Sequence, residues 1–109
     1  MSLRDEVLGA VELLSLPSKQ LAYEREVPTV HAPSELICLY CDDLYHPKSS
    51  VFLDSFNEEE LRELAHLYGV VVQASKHQAP TVTELLKTDE WRVVISVAKS
   101  VYESLSRAT

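Results

Sequence analysis

The chain has 109 residues and a formal net charge of −7, with ten Lys and Arg against seventeen Asp and Glu. A chain of this size leaves roughly 6,100 Å² accessible and buries about two thirds of its unfolded surface, enough for one hydrophobic core, so residues 1–109 read as a single globular domain. An apolar share of 46% with 25% charged residues excludes a disordered composition, and two glycines disfavour a turn-rich all-β fold.

Residues 3–15 read as a helix. Leu3, Val7, Leu8, Val11 and Leu14 recur at helical spacing. Ser2 and Asp5 have the spacing of a capping box, and Pro17 ends the element. Residues 18–33 are the least periodic stretch. Leu21, Tyr23 and Val27 share a parity, with Pro28 and Pro33 following. A small β element near residues 20–27, or an extended loop crossing the core, fits this pattern.

Residues 34–46 read as a helix capped by Ser34, with Glu35 in its first turn and Pro47 as its stop. At about 100° per residue, Leu36, Ile37, Tyr40, Cys41 and Leu44 form its apolar side. Glu35, Asp42 and His46 fall opposite. A buried strand over Ile37–Cys41 is the competing reading. Residues 47–56 form a connection that carries the apolar trio Val51, Phe52 and Leu53.

Asn57 and Glu60 mark the clearest helix start, with Phe56 and Leu61 at the positions of a hydrophobic staple. Leu61, Leu64, Ala65 and Tyr68 are the expected buried stripe, and Gly69 the expected stop. Val70–Val72 continue the helix or form a short strand. Residues 74–80 are a loop, and residues 82–87 a helical turn or two. The last helix is capped by Thr88, with Asp89 and Glu90 in its first turn and Arg107 near its end. Trp91, Val94, Ile95, Ala98, Val101, Tyr102 and Leu105 make its apolar face. The expected fold is mainly α: a compact domain of about four helices.

Catalytic grammar is missing from the sequence. There is no Gly-rich phosphate loop, nucleophile elbow or H-E-x-x-H motif. Cys38 and Cys41 have C-x-x-C spacing without a second ligand pair, and read as small buried hydrophobes. Cys38, Asp42 and His46 stand at i, i+4 and i+8, so a small metal-binding protein or enzyme built on them is the alternative function. It would need a further ligand such as His31 or His66. No cofactor is expected. Trp91 reads as a core anchor.

Charge separates the chain into unequal parts. Residues 1–34 carry −2, residues 35–60 carry −6 and residues 61–109 carry +1. Capping accounts for Glu58–Glu60 but not for Asp42, Asp43 and Asp54. Tyr40 and Tyr45 straddle the Asp42–Asp43 pair, and Tyr supplies contact area at low entropy cost. Asp42, Asp43, Tyr45, His46 and Asp54 are therefore the candidate recognition residues. The expected function is a non-enzymatic interaction domain, such as an inhibitor, immunity protein, antitoxin or adaptor, that binds a protein with a basic surface. Self-association through the last helix would give a homo-oligomer. A sequence pI near 5.0, without a Lys/Arg cluster, speaks against nucleic acid and anionic membranes. Apolar runs such as Tyr68–Val72 are too short to span a bilayer, and Met1–Ala10 lacks the apolar region of a signal peptide. The cytoplasm is the expected location, where both cysteines stay reduced.

Overall fold

The computed structural model describes residues 2–77 and 79–107. Its helices are α1 (Leu3–Ser15), α2 (Pro17–Glu26), α3 (Ala32–Cys38), α4 (Ser50–Asp54), α5 (Glu58–Ser75), α6 (Val82–Leu85) and α7 (Asp89–Arg107). A π-helical segment, Leu39–Leu44, continues directly from α3. No strand occurs among the described residues.

Local chemistry places the helix starts. The Ser2–Asp5 capping box opens α1, and the Asn57–Glu60 box opens α5. Thr81 caps α6 by accepting the Glu84 N–H, and Thr88 Oγ1 accepts the Trp91 N–H at the start of α7. The longest helix, α7, buries Trp91, Val94, Ala98, Val101 and Leu105 along one stripe. Against that stripe pack α1, through Val7, Val11 and Leu14, and α5, through Leu64, Leu67 and Val71. Leu36, Tyr40 and Phe52 close the core from the remaining side. The accessible area is 6265 Å². The radius of gyration is 13.4 Å, against about 13 Å for a compact domain of this length.

The small β element near residues 20–27 is not there. Residues 20–26 belong to α2, and Val27 is its C-cap. Pro17 ends α1 and also stands in the first turn of α2, where its fixed φ and missing N–H do no harm. The helix has no apolar period because the only residue it buries fully is Gln20. The number of helices also exceeds about four, since α2, α4 and α6 are short. Ser49 caps α4 within the expected connection.

Helix α3 starts earlier than Ser34. His31 is its cap, accepting the Ser34 N–H, with Pro33 in its first turn. Helix α5 runs through Gly69, which has no positive φ and so does not act as a left-handed stop. Its buried stripe is Glu60, Leu64, Leu67, Val71 and Ala74. Leu61 is half-buried, while Ala65 and Tyr68 are exposed. The stripe is rotated because Glu60 is turned inward.

Gln20 explains how a helix without an apolar face is held. Its Nε2 donates to the Leu13 carbonyl at 2.9 Å, and its Oε1 accepts the Trp91 indole N–H at 2.9 Å. One buried amide thereby joins α1, α2 and α7. Glu24 adds a second tie, accepting the Val82 backbone N–H at 2.9 Å at the start of α6. Trp91→Phe removes the donor to a buried oxygen and should cost about 1–3 kcal/mol beyond its packing loss. Gln20→Leu with Trp91→Phe should recover part of that cost. Urea denaturation midpoints of the single and double variants check both expectations.

Candidate interaction surface

Glu60 is removed from the acidic surface by Arg4. The guanidinium Nη1 donates to Glu60 Oε1 at 3.0 Å and Nη2 to Oε2 at 2.7 Å. Nη1 also donates to the Ser55 carbonyl, and Nη2 to the Leu105 carbonyl. The group lies 5.4 Å from the centre of the Phe56 ring. Only 5% of the Glu60 side chain and 22% of the Arg4 side chain are accessible. The Arg4 hydrogen bonds hold the Glu60 carboxyl below the usual range, against a smaller opposing effect of burial.

The other six acidic residues of the segment 35–60 are Glu35, Asp42, Asp43, Asp54, Glu58 and Glu59, and all are exposed. Among the described residues, none of these six is in an ion pair. Tyr45 does not stand out with Asp42 and Asp43. It is half-buried, 4.7 Å from the Tyr68 ring and 5.7 Å from the Tyr40 ring, with the Phe52 ring edge-on at 5.5 Å. This aromatic packing draws the end of the π segment against α4 and α5. His46 is exposed, and its Nε2 lies 2.9 Å from the Asp43 carbonyl oxygen. So Asp42, Asp43, His46 and Asp54 are exposed, while Tyr45 is half-buried, with its ring packed against three aromatic neighbours. Val51 and Leu53, on the two flanks of buried Phe52, are 63% and 42% exposed. The apolar trio was the sequence signal for them, but which members faced water could not be read without α4.

A second surface feature lies between α1 and the π segment. It is an open groove of about 430 Å³ lined by Asp5, Glu6, Gly9, Ala10, Leu39 and Leu44. In an α-helix, residues five apart diverge by about 140°. A π turn of about 4.4 residues leaves them only about 50° apart, so Leu39 and Leu44 share one wall. Asp5 accepts from Ser2, which holds its carboxyl below the usual range. No sequence signal marked this groove, because the α wheel places Leu39 and Leu44 on different sides.

A larger cleft of about 670 Å³ lies between α5 and α7. It mixes Glu59, Glu63 and Glu103 with Arg62 and Arg107, and Ser104 Oγ donates to Glu63 at 2.9 Å. Its lining therefore carries charge of both signs.

The cysteines are poorly placed for chemistry. Both are free and half-buried. Burial pushes the Cys41 thiol up to about 11, with smaller contributions from Asp42 and Cys38. Burial also raises Cys38, followed by its contact with Asp42. Both shifts suppress the thiolate that nucleophilic and redox cysteines need. The Cys38–Asp42–His46 stripe is interrupted, since the π segment ends at Leu44 and Tyr45 is extended. Among the described residues, no group of three or more His, Cys, Asp and Glu side chains is arranged to hold a metal ion.

Glu60→Ala leaves Arg4 without its carboxylate and should cost about 3 kcal/mol at neutral pH. Because the folded pKa of Glu60 is depressed, its contribution is present above the unfolded value of about 4.3 and is lost as pH falls through the folded value. Chemical denaturation between pH 7 and pH 3 should therefore show a flatter acid limb for Glu60→Gln than for the parent. Alkylation of Cys41 at pH 8 should be at least tenfold slower in the folded chain than in urea, read by mass spectrometry of the labelled peptide. Comparison with known proteins finds no matching family model, no matching curated protein and no matching solved structure.

Proposed function

We propose that this chain is a non-enzymatic interaction domain that binds a basic protein surface through its acidic segment. It would act in the cytoplasm as an inhibitor, immunity protein, antitoxin or adaptor. The supporting observation is the one-signed surface of residues 35–60, where six carboxylates are exposed beside a single cation, Lys48. None of these six is in an ion pair among the described residues. A one-signed field of this kind speeds encounter with a positively charged partner and disfavours neutral or acidic ones. Thiols that are free and hard to ionise fit a reducing compartment. The apolar stripe of α7 is used inside the chain, against α1 and α5, which favours a monomer as the binding unit over self-association through that helix.

The test is a triple charge reversal, Asp42→Lys, Asp43→Lys and Asp54→Lys. All three sites are exposed, so circular dichroism and the melting temperature should change little. Cross-linking and mass spectrometry in a native lysate at low salt should capture a basic protein with the parent chain. Capture should fall with added salt and disappear with the triple variant. A partner held equally by the parent and the triple variant, and indifferent to salt, would sink the proposal.

A further inference from the structure

The groove between α1 and the π segment has a composition that specifies an occupant. Asp5 and Gly9 stand one turn apart on α1, as do Glu6 and Ala10 beside them. The helix thus offers two parallel rows, each an acid followed by a small residue. Gly9 is exposed, and a Cβ built there would meet nothing within 4 Å. Ala10 is buried and forms part of the floor. The opposite wall is Leu39 and Leu44, both half-buried. Asp43 is exposed, and in a π turn it falls about 30° from Leu39, so it stands on the same rim. No Lys, Arg or His lines the groove. Its floor is apolar and its charged edges are all negative.

We infer that this groove is a docking slot for an amphipathic helix that carries leucine-sized side chains flanked by Lys or Arg. The inference rests on the acidic-surface reading and sharpens it, because it locates where apolar contact is added to charge. The small residues of α1 let a side chain or a helix backbone approach closely, and Leu39 and Leu44 receive it. Asp5, Glu6 and Asp43 then meet the cations on either side. A second copy of this chain does not fit, since each copy carries −7 and would bring like charge to the rim. An acidic or uncharged helix would leave the three carboxylates partly desolvated without a partner. Binding of a helix in a groove with complementary charge at its edges is an established mode of peptide recognition.

A synthetic Leu/Lys amphipathic helical peptide is the probe, with a Ser/Lys peptide of equal charge and a Leu/Glu peptide as controls. Titration of the full chain is followed by fluorescence anisotropy and by ¹H–¹⁵N amide shifts. The Leu/Lys peptide should bind, with shifts concentrated in residues 5–10 and 39–44. Gly9→Trp, which fills the groove, should weaken it at least tenfold. Gly9→Leu should act in the same direction and guards against a folding defect in the larger variant. Asp43→Lys should weaken it more than Asp42→Lys, because Asp42 lies on the far side of the π segment. Equal binding of the Ser/Lys peptide, with no effect of Gly9→Trp, overturns the slot and leaves the acidic-surface reading standing. No binding of the Leu/Lys peptide at low salt also overturns the slot. The acidic-surface reading is decided separately, by the triple charge reversal against the native partner.

Discussion

The Arg4–Glu60 pair fixes how the two ends of the chain meet the middle. An arginine so little exposed needs compensation for nearly all of its donors, and its planar fork can address several acceptors at once. Here it addresses Glu60 with two hydrogen bonds, then the Ser55 and Leu105 carbonyls. Those carbonyls lie at the C-terminal ends of α4 and α7, where helices leave acceptors unpaired. A single side chain from α1 thus closes two helix ends and the start of a third. Glu60 is equally shared. Its Oε1 also accepts the Asn57 N–H at 2.9 Å, so the cap of α5 and the tertiary ion pair use the same carboxylate. The alignment of α1, α5 and α7, which carries the core, is set by this group.

At other points of the domain, uncharged polar pins do related work. Gln20 links α1, α2 and α7 through Leu13 and Trp91. The buried Tyr40 hydroxyl donates to the Leu64 carbonyl at 2.7 Å, joining the π segment to α5. His31 Nδ1 accepts the Ser34 N–H, which leaves Nε2–H to donate to the Ala79 carbonyl at 2.9 Å. The short helices α2, α3 and α6 have little apolar surface of their own. Directional bonds fix their positions where burial alone would leave several arrangements of similar energy.

This division explains what could be read from the sequence. Helices α1 and α7 combine a strong cap signal with apolar residues every three or four positions, and both are legible almost to the residue. The start of α5 is legible for the same reason, but its phase is not. An inward Glu60 is invisible until Arg4 is known to lie beside it, and without it Leu61 looks like the centre of the stripe. Helix α2 defeats the periodicity argument because its buried member is a glutamine. The imidazole cap of α3 is hidden behind Ser34, the more familiar capping residue three positions on. At the surface, exposure of Asp42, Asp43, His46 and Asp54 follows from their polarity. Tyr45 differs from them because the rings of Tyr40, Phe52 and Tyr68 pack against it and leave it half-buried.

The π segment is where local and tertiary reasoning meet. Its wider turn is shown by the Tyr45 N–H, which donates to the Tyr40 carbonyl five residues back at 2.8 Å. In an α-helix, Tyr40 and Tyr45 would point about 140° apart, and only one could reach α5. The π turn reduces that to about 50°. Tyr40 then reaches the Leu64 carbonyl while Tyr45 stacks on Tyr68. The same change of angle brings Leu39 and Leu44 together on the side facing α1. Six residues are thereby sorted by one geometric device. Tyr40 and Cys41 face the core, and Leu39 and Leu44 face the groove. Asp42 and Asp43 occupy the angular positions that remain, and of the six residues these two are the exposed ones. The acidic pair and the apolar groove beside it are two consequences of the same turn, so the aromatic packing that holds the turn also keeps them adjacent.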